Sequence, residues 1–206
     1  INEVKAKQTK ERARTDLWKM WLRTFHEPAE KDLRLAANAY LKGAAKRYQD
    51  RTLEYVKPSM TKGIIDYASL MDTAAEEELV AQIIGSKWRK WYFLSGGDTL
   101  KQIMRLAGLP VDDVTISETL ANELINTMSR QIVRTQENAV TRIIEDGLME
   151  GLPIAQIGRN IDAATAFGAA RSLRIAQTES TRAANSGTQQ AYTDATAQGR
   201  IRITCL

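Results

Sequence analysis

The sequence predicts an all-α protein, an elongated helical bundle or hairpin with a short β element at its C-terminus. Apolar residues recur at spacings of three and four over most of the 206 residues, as on one face of a helix. The hydrophobic fraction of 43% is sufficient for a buried core. Only the last residues, 200–206, alternate with period two, which is typical of a strand.

Two helices are predicted in the N-terminal quarter. Residues 3–25 form a basic stretch in which large apolar side chains recur at helical spacing. The sequence His26-Glu27-Pro28 predicts a break, and residues 29–57 the next helix. Pro58 predicts its end, because proline lacks a backbone donor and restricts the residue before it.

A third helix is predicted over residues 72–94, with three acidic residues in its first turns, where the helix dipole favours negative charge. Residues 88–92, Trp-Arg-Lys-Trp-Tyr, interleave aromatic rings with cations, a pattern that can stack bases. Burial of the aromatic face against a neighbouring helix is the more frequent explanation. The triplet Ser95-Gly96-Gly97 predicts the end of this helix, and residues 98–107 a separate short one.

The strongest helical pattern spans residues 117–150, predicted as the spine of a bundle or half of an extended hairpin. A short helix over 154–161 and a last helix over 166–198 follow. A strand over 200–206 would need a partner, and the chain begins with Ile1 rather than Met. We therefore expect the chain to be a fragment or a processed product, with the rest of the β element beyond Leu206.

Charge is distributed unevenly along the chain, whose net charge is +4. Residues 1–62 hold 15 Lys and Arg against 8 Asp and Glu, whereas the remainder holds 14 against 17. This asymmetry indicates a basic arm facing a polyanion or an acidic partner, or else a solvated helix with spare lysines. We predict a basic, aromatic-rich helical region over 1–95 and a second helical domain over 117–206.

Several function classes find no support in the sequence. Cys205 and His26 are the only residues of their types, which argues against a disulfide framework, a zinc site and a Cys–His nucleophile pair. No apolar run is long enough to span a bilayer, and no signal peptide is visible. Neither a glycine-rich phosphate loop nor a nucleophile–base set is present. We predict no enzymatic activity, no cofactor, no metal and no membrane partner.

The most informative segment lies between residues 169 and 199. One face of its predicted helix carries mostly small side chains, which allow another helix to approach closely, and Gly187 lies on it. A mid-helix glycine costs roughly 1 kcal/mol against alanine, which tight packing would explain. The opposite face carries a polar stripe on which Glu179 and Arg182 can pair. We interpret this stripe as structural, holding the register between helices.

The pattern R-I-A-x-T-E-x-x-R-A-x-N-x-G, from Arg174 to Gly187, resembles the signature of the Mu F-like phage head morphogenesis family. The preceding G-L-P-I-A-Q-I-G-R-N-I, from Gly151 to Ile161, is also similar to that family, in which a short helix lies between a long helix and the signature helix. The resemblance covers about residues 117–206. Its motif residues, expected to be structural, are Arg174, Thr178, Glu179, Arg182, Asn185 and Gly187.

The resemblance implies a minor head protein of a tailed bacteriophage, made in the host cytoplasm and located in the virion, inside the capsid near the portal. Its expected partners are the portal or major capsid protein and double-stranded DNA, bound without sequence specificity. The signature does not cover the basic N-terminal region, which we interpret as the portal-docking or DNA-facing arm. The candidate DNA-binding residues are Lys5, Lys7, Lys10, Arg12, Arg14 and Lys19, followed by Lys42, Lys46, Arg47 and Arg51.

Two alternatives remain open at this point. The chain could be a standalone basic, α-helical nucleic-acid-binding protein, although no helix-turn-helix spacing or zinc-finger ligand set is visible. It could also be an enzyme of the toxin or transferase type that some phage head proteins carry.

Overall fold

The computed structural model describes residues 12, 15–16, 18–56, 65–111 and 115–197, and every regular element within these ranges is helical. The prediction of an all-α fold is therefore confirmed for the described chain. The predicted strand over 200–206 lies outside the described residues. The α-helices are α1 (Glu27–Tyr55), α2 (Tyr67–Met71), α3 (Thr73–Val80), α4 (Ser86–Leu106), α5 (Glu118–Met149), α6 (Ile154–Asp162) and α7 (Ala169–Ala197).

The chain enters α1 through a π-helical turn, Leu22–His26, without leaving the helical conformation. The predicted break at His26-Glu27-Pro28 is therefore wrong. Pro28 is the second residue of α1 and directly follows this π turn. The N–H of Glu27 donates to the carbonyl of Leu22, five residues back, as in a π turn.

A second continuous helical run extends from Thr73 to Leu106, because the π turn Ala81–Gly85 joins α3 to α4. The predicted end at Ser95-Gly96-Gly97 is wrong, and so is the separate helix over 98–107. Ser95 and Gly96 are both buried within α4. Tertiary packing at this position outweighs the low helix propensity of glycine.

The C-terminal helices lie close to their predicted positions. The predictions 117–150 and 154–161 correspond to α5 and α6, and the predicted 166–198 corresponds to a short 3₁₀ turn, Thr165–Phe167, followed by α7. Gly151 has a φ of +68° just after α5, a left-handed conformation that glycine adopts without strain. The chain turns at Gly151 and continues to Pro153, which directly precedes α6.

The helices pack as a bundle around one cluster of buried residues that draws on both predicted regions. Helix α7 packs mainly against α4 and α1, whereas α5 packs against α3 and α6. Of the two predicted roles for the long helix α5, membership of a bundle describes this packing better than a hairpin with α7. The domain ranges 1–95 and 117–206 themselves stay a prediction. None of the helices in the described part of the chain is both long and apolar enough to cross a lipid bilayer.

Candidate functional site

Helix α7 crosses α4 at two glycines. A β-carbon added at Gly96 would lie 2.8 Å from the carbonyl oxygen of Gly187, and one added at Gly187 would lie 3.0 Å from the amide nitrogen of Gly96. The added β-carbon at Gly187 would also collide with the carbonyl oxygen of Tyr92. Because these neighbours are backbone atoms, they cannot move aside as a flexible side chain could. The predicted tight packing at Gly187 is observed.

Short hydroxyl side chains form hydrogen bonds between α4 and α7 beside this crossing. The Ser95 hydroxyl donates to the carbonyl oxygen of Ala184 at 2.9 Å and lies 3.0 Å from the hydroxyl of Thr188. Thr99 lies one turn further along α4, with its hydroxyl 3.3 Å from that of Thr188. Most small residues of the predicted face are buried along α7, namely Ala176, Ala183, Ala184, Gly187 and Ala191. Ala169 of the same predicted face is exposed.

Glu179 lies next to this crossing and is 6% exposed. Its two carboxylate oxygens accept from the Nη1 of Arg182 at 3.0 and 3.3 Å. Burial raises the pKa of Glu179, while Arg182 and the indole of Trp88 act in the opposite direction. The Trp88 Nε1 is close enough to influence the carboxylate, yet it has no hydrogen bond of normal geometry within the described structure. Glu179 is thus a buried acid held between the Arg182 guanidinium and the Trp88 indole.

The remaining motif residues lie outside the crossing. Arg174, Thr178 and Asn185 are exposed on α7, and no hydrogen bond of their side chains is observed within the described residues. Asn185 lines a wide groove beside Trp21 and His26. The structure therefore divides the motif into a packed part, with Glu179 and Gly187, and an exposed part.

Arg174 and Thr178 belong to a cleft of about 200 Å³ between α5 and α7. Two further arginines, Arg171 and Arg182, line the same cleft together with Glu179. Helix α5 forms the opposite wall. Its lining residues are Met128, Gln131 and Ile132. The sequence places the arginines on one stripe of α7 but gives no indication that α5 closes the cleft over them.

The aromatic residues of the stretch 88–92 are part of the core, whereas Arg89 is half-buried and Lys90 is exposed. Trp88 and Tyr92 are fully buried, and their rings stack with centroids 5.4 Å apart. Asp32 of α1 accepts from the Lys90 Nζ at 2.8 Å and from the Trp91 Nε1 at 3.2 Å. Burial against neighbouring helices, favoured from the sequence over base stacking, is therefore what the structure shows.

The candidate DNA-binding residues differ in their surroundings. Lys5, Lys7, Lys10 and Arg14 lie outside the described residues. Arg12, Lys19 and Lys42 are exposed. Lys46 is exposed too and pairs with Asp50 one turn away, at 2.8 Å, a contact of little energetic weight. These four described cations are accessible to a polyanion.

Arg47 and Arg51 instead face the buried carboxylate of Glu76. From the sequence, Glu76 was one of the three acidic residues expected in the first turns of a helix. Glu76 has no solvent exposure and accepts from Arg47 Nε at 2.8 Å and Nη2 at 2.6 Å. Arg51 Nη1 donates to the same carboxylate at 3.1 Å. The Tyr40 hydroxyl lies 3.1 Å from Glu76 and 2.9 Å from the side-chain oxygen of Gln136. Both guanidinium groups thus connect α1 to α3 within the fold.

Desolvation in this network raises the pKa of the Tyr40 hydroxyl far above its usual range, and nearby Glu76 adds to the effect. Tyr40 therefore stays protonated and acts as a hydrogen-bond donor. Sequence analysis missed Tyr40, Glu76 and Gln136 as a group, because they come from three separate helices and share no local pattern.

No group of three or more His, Cys, Asp or Glu side chains in the described ranges is arranged to hold a metal ion. Compared with known proteins, the chain matches no family model, no curated protein and no solved structure.

Proposed function

We propose that the chain is a minor head protein of a tailed bacteriophage, acting in head assembly at the portal and contacting packaged DNA without sequence specificity. The observation that carries the proposal is the order of α5, α6 and α7, with the motif from Arg174 to Gly187 lying entirely within α7. That order of long helix, short helix and signature helix is the one that the resemblance implies.

The division of the motif supports an assembly role. Glu179 and Gly187 are used in packing α7 into its own fold. Arg174, Thr178 and Asn185 leave an exposed polar strip on the same helix, accessible to another protein. Polar strips on a rigid helix provide specificity and register in transient assemblies. We assign this strip to the portal or the capsid lining.

The DNA contact is proposed for the exposed cations at the N-terminal end and on α1. Arg12, Lys19, Lys42 and Lys46 are accessible within the described chain. Phosphate contacts by such residues release counterions, so binding would weaken steeply with salt and depend little on sequence. Arg47 and Arg51 contribute less in this proposal, because Glu76 already occupies their guanidinium groups.

Virion localisation tests the proposal directly. An epitope-tagged chain would be produced in host cells during phage replication, and particles would be purified and analysed by quantitative immunoblotting. We expect the chain in the particles at few copies relative to the capsid protein. A chain abundant in the lysate but missing from both procapsids and mature particles would contradict the proposal.

The exposed strip can be tested in the same experiment. Arg174→Glu combined with Thr178→Glu should lower incorporation, because it reverses the charge of the strip while leaving the α4–α7 crossing intact. Lys101→Glu, at an exposed position of α4, is the matched control and should be incorporated normally. A portal gene beside the gene for this chain would independently support the assignment.

A further inference from the structure

We infer that the cleft between α5 and α7 is a binding site for a phosphate group, held by Arg171, Arg174 and Arg182. The inference goes beyond the proposed function, since it concerns a discrete ligand site distant in sequence from the cations assigned to DNA. The cleft shares Arg174 and Thr178 with the strip assigned to the portal or capsid lining. It would stand whether or not the chain belongs to a virion.

The charges around the cleft are unbalanced. Three arginines line it, and Glu179 is the only acidic side chain among the lining residues, which leaves two positive charges uncompensated. Glu179 is bonded to Arg182 through Nη1 alone. Within the described residues, the guanidinium groups of Arg171 and Arg174 have neither a hydrogen bond nor an ion pair. Their donors are therefore available to a ligand.

The position of Arg171 is unfavourable without an anion. It is the third residue of α7, whose first turn contains no acidic side chain, and a cation there opposes the helix dipole. Partial burial and the neighbouring charge of Arg174 both lower the pKa of Arg171. Buried Met128 and Ile132 lie on the α5 side of the cleft, and this apolar surface strengthens charge interactions next to it.

The chemistry of the lining favours phosphate over a carboxylate. Arginine presents planar forks of donors that match phosphate oxygens, and several forks can bind different oxygens of one phosphate. A phosphate monoester carries a charge of about −1.5 to −2 near neutral pH, which matches the two uncompensated cations. Thr178 and Gln131 add a hydroxyl and an amide as neutral donors. A volume of about 200 Å³ holds a phosphate group with several waters, each of which occupies about 30 Å³ in the liquid.

Isothermal titration calorimetry with inorganic phosphate tests the inference, at constant ionic strength maintained with chloride. The wild-type chain should bind phosphate, and Arg171→Gln combined with Arg174→Gln should weaken binding by about tenfold or more, since charged hydrogen bonds are lost. Arg105→Gln, at an exposed arginine of α4 outside the cleft, is the matched control and should bind like the wild type. Circular dichroism verifies that each variant remains helical.

A competition experiment between inorganic phosphate and a DNA duplex identifies the source of the phosphate group. If the natural ligand is a nucleic-acid backbone, a short DNA duplex should displace inorganic phosphate from the wild type, and the double variant should lose duplex affinity. If it is a free phosphate or a small ester, phosphate binding should persist in the presence of the duplex. The inference is overturned if phosphate binds no better than chloride, or if the double variant and Arg105→Gln bind phosphate equally. Virion incorporation of the wild-type chain is measured separately and involves none of these substitutions, so the two proposals can fail independently.

Discussion

Gly96 and Gly187 lie opposite each other where α4 crosses α7, and each occupies a place in which a β-carbon would meet the backbone of the other helix. Two helices that cross this closely depend on the absence of side chains at the crossing. The stability of the bundle should therefore respond to a single methyl group at this point.

Gly187→Ala should lower the free energy of unfolding by about 1–3 kcal/mol, the usual range for overpacking a filled core. The added methyl meets the carbonyl of Tyr92, which cannot yield without moving α4. Gly97→Ala is the matched control, because a β-carbon at Gly97 meets nothing within 4 Å. That control should gain up to about 1 kcal/mol from higher helix propensity. Chemical denaturation measures both, and similar effects of the two substitutions would contradict the close crossing.

Glu76→Ala should destabilise the fold by roughly 3 kcal/mol. It leaves Arg47 and Arg51 without their shared carboxylate and opens a cavity. Both arginine side chains are partly exposed, so water can replace some of their lost contacts. Glu78→Ala, on the exposed side of the same helix, should change stability by less than about 0.5 kcal/mol. Urea denaturation of the two variants and the wild type provides the comparison. A small effect at Glu76 would show that the network is dispensable.

Glu179 should make stability depend on pH. Burial raises its folded-state pKa above the ordinary value of 4.5, so the folded chain binds this proton more tightly than the unfolded chain. The stability of the wild type relative to Glu179→Gln should therefore fall as pH rises from about 4.5 to the raised pKa, and then stay constant. Unfolding free energies of both proteins between pH 4 and pH 8 measure this difference. A wild type that gains stability relative to the variant over that range would mean that Arg182 outweighs burial.

Substitutions at Lys42 and Arg47 should distinguish a cation that contacts DNA from a cation that stabilises the fold. Lys42→Gln combined with Lys46→Gln should leave stability within about 0.5 kcal/mol and weaken binding to a DNA duplex, with a smaller salt dependence. Arg47→Gln should instead lower stability, because it removes two bonds to buried Glu76. Fluorescence anisotropy across a range of salt concentrations, together with thermal unfolding, measures the two effects. Loss of DNA binding in Arg47→Gln without loss of stability would reverse these assignments.

Much of the fold could be predicted from the sequence, because its strongest signals are local. The apolar spacing in α5 and the Gly151 and Pro153 that follow it placed three C-terminal helices within a few residues of their observed bounds. Gly187 indicated close packing, because a glycine in the middle of a helix lowers helix stability and close contact with another helix would explain its presence. These features depend on neighbours in the chain and can be read without knowing the rest of the structure.

The errors arose where distant contacts decide the local structure. Ser95-Gly96-Gly97 has the composition of a helix end, yet the helix continues because Gly187, about ninety residues away, fits against Gly96. Arg47 and Arg51 have the composition of a polyanion-binding face, yet Glu76 occupies them. Neither pairing leaves a periodic pattern, so neither could be predicted from one sequence.

The π turn Ala81–Gly85 has a consequence for how this chain can vary. A π turn accommodates one residue more than the α-helix needs, and each residue turns an α-helix by about 100°. Upstream of it Glu76 faces the arginines of α1, and downstream Trp88 is buried near α7. Shortening the turn by one residue would rotate these two faces out of phase, so that only one could keep its partners. Homologous chains should therefore tolerate substitutions in this pentapeptide far better than changes in its length.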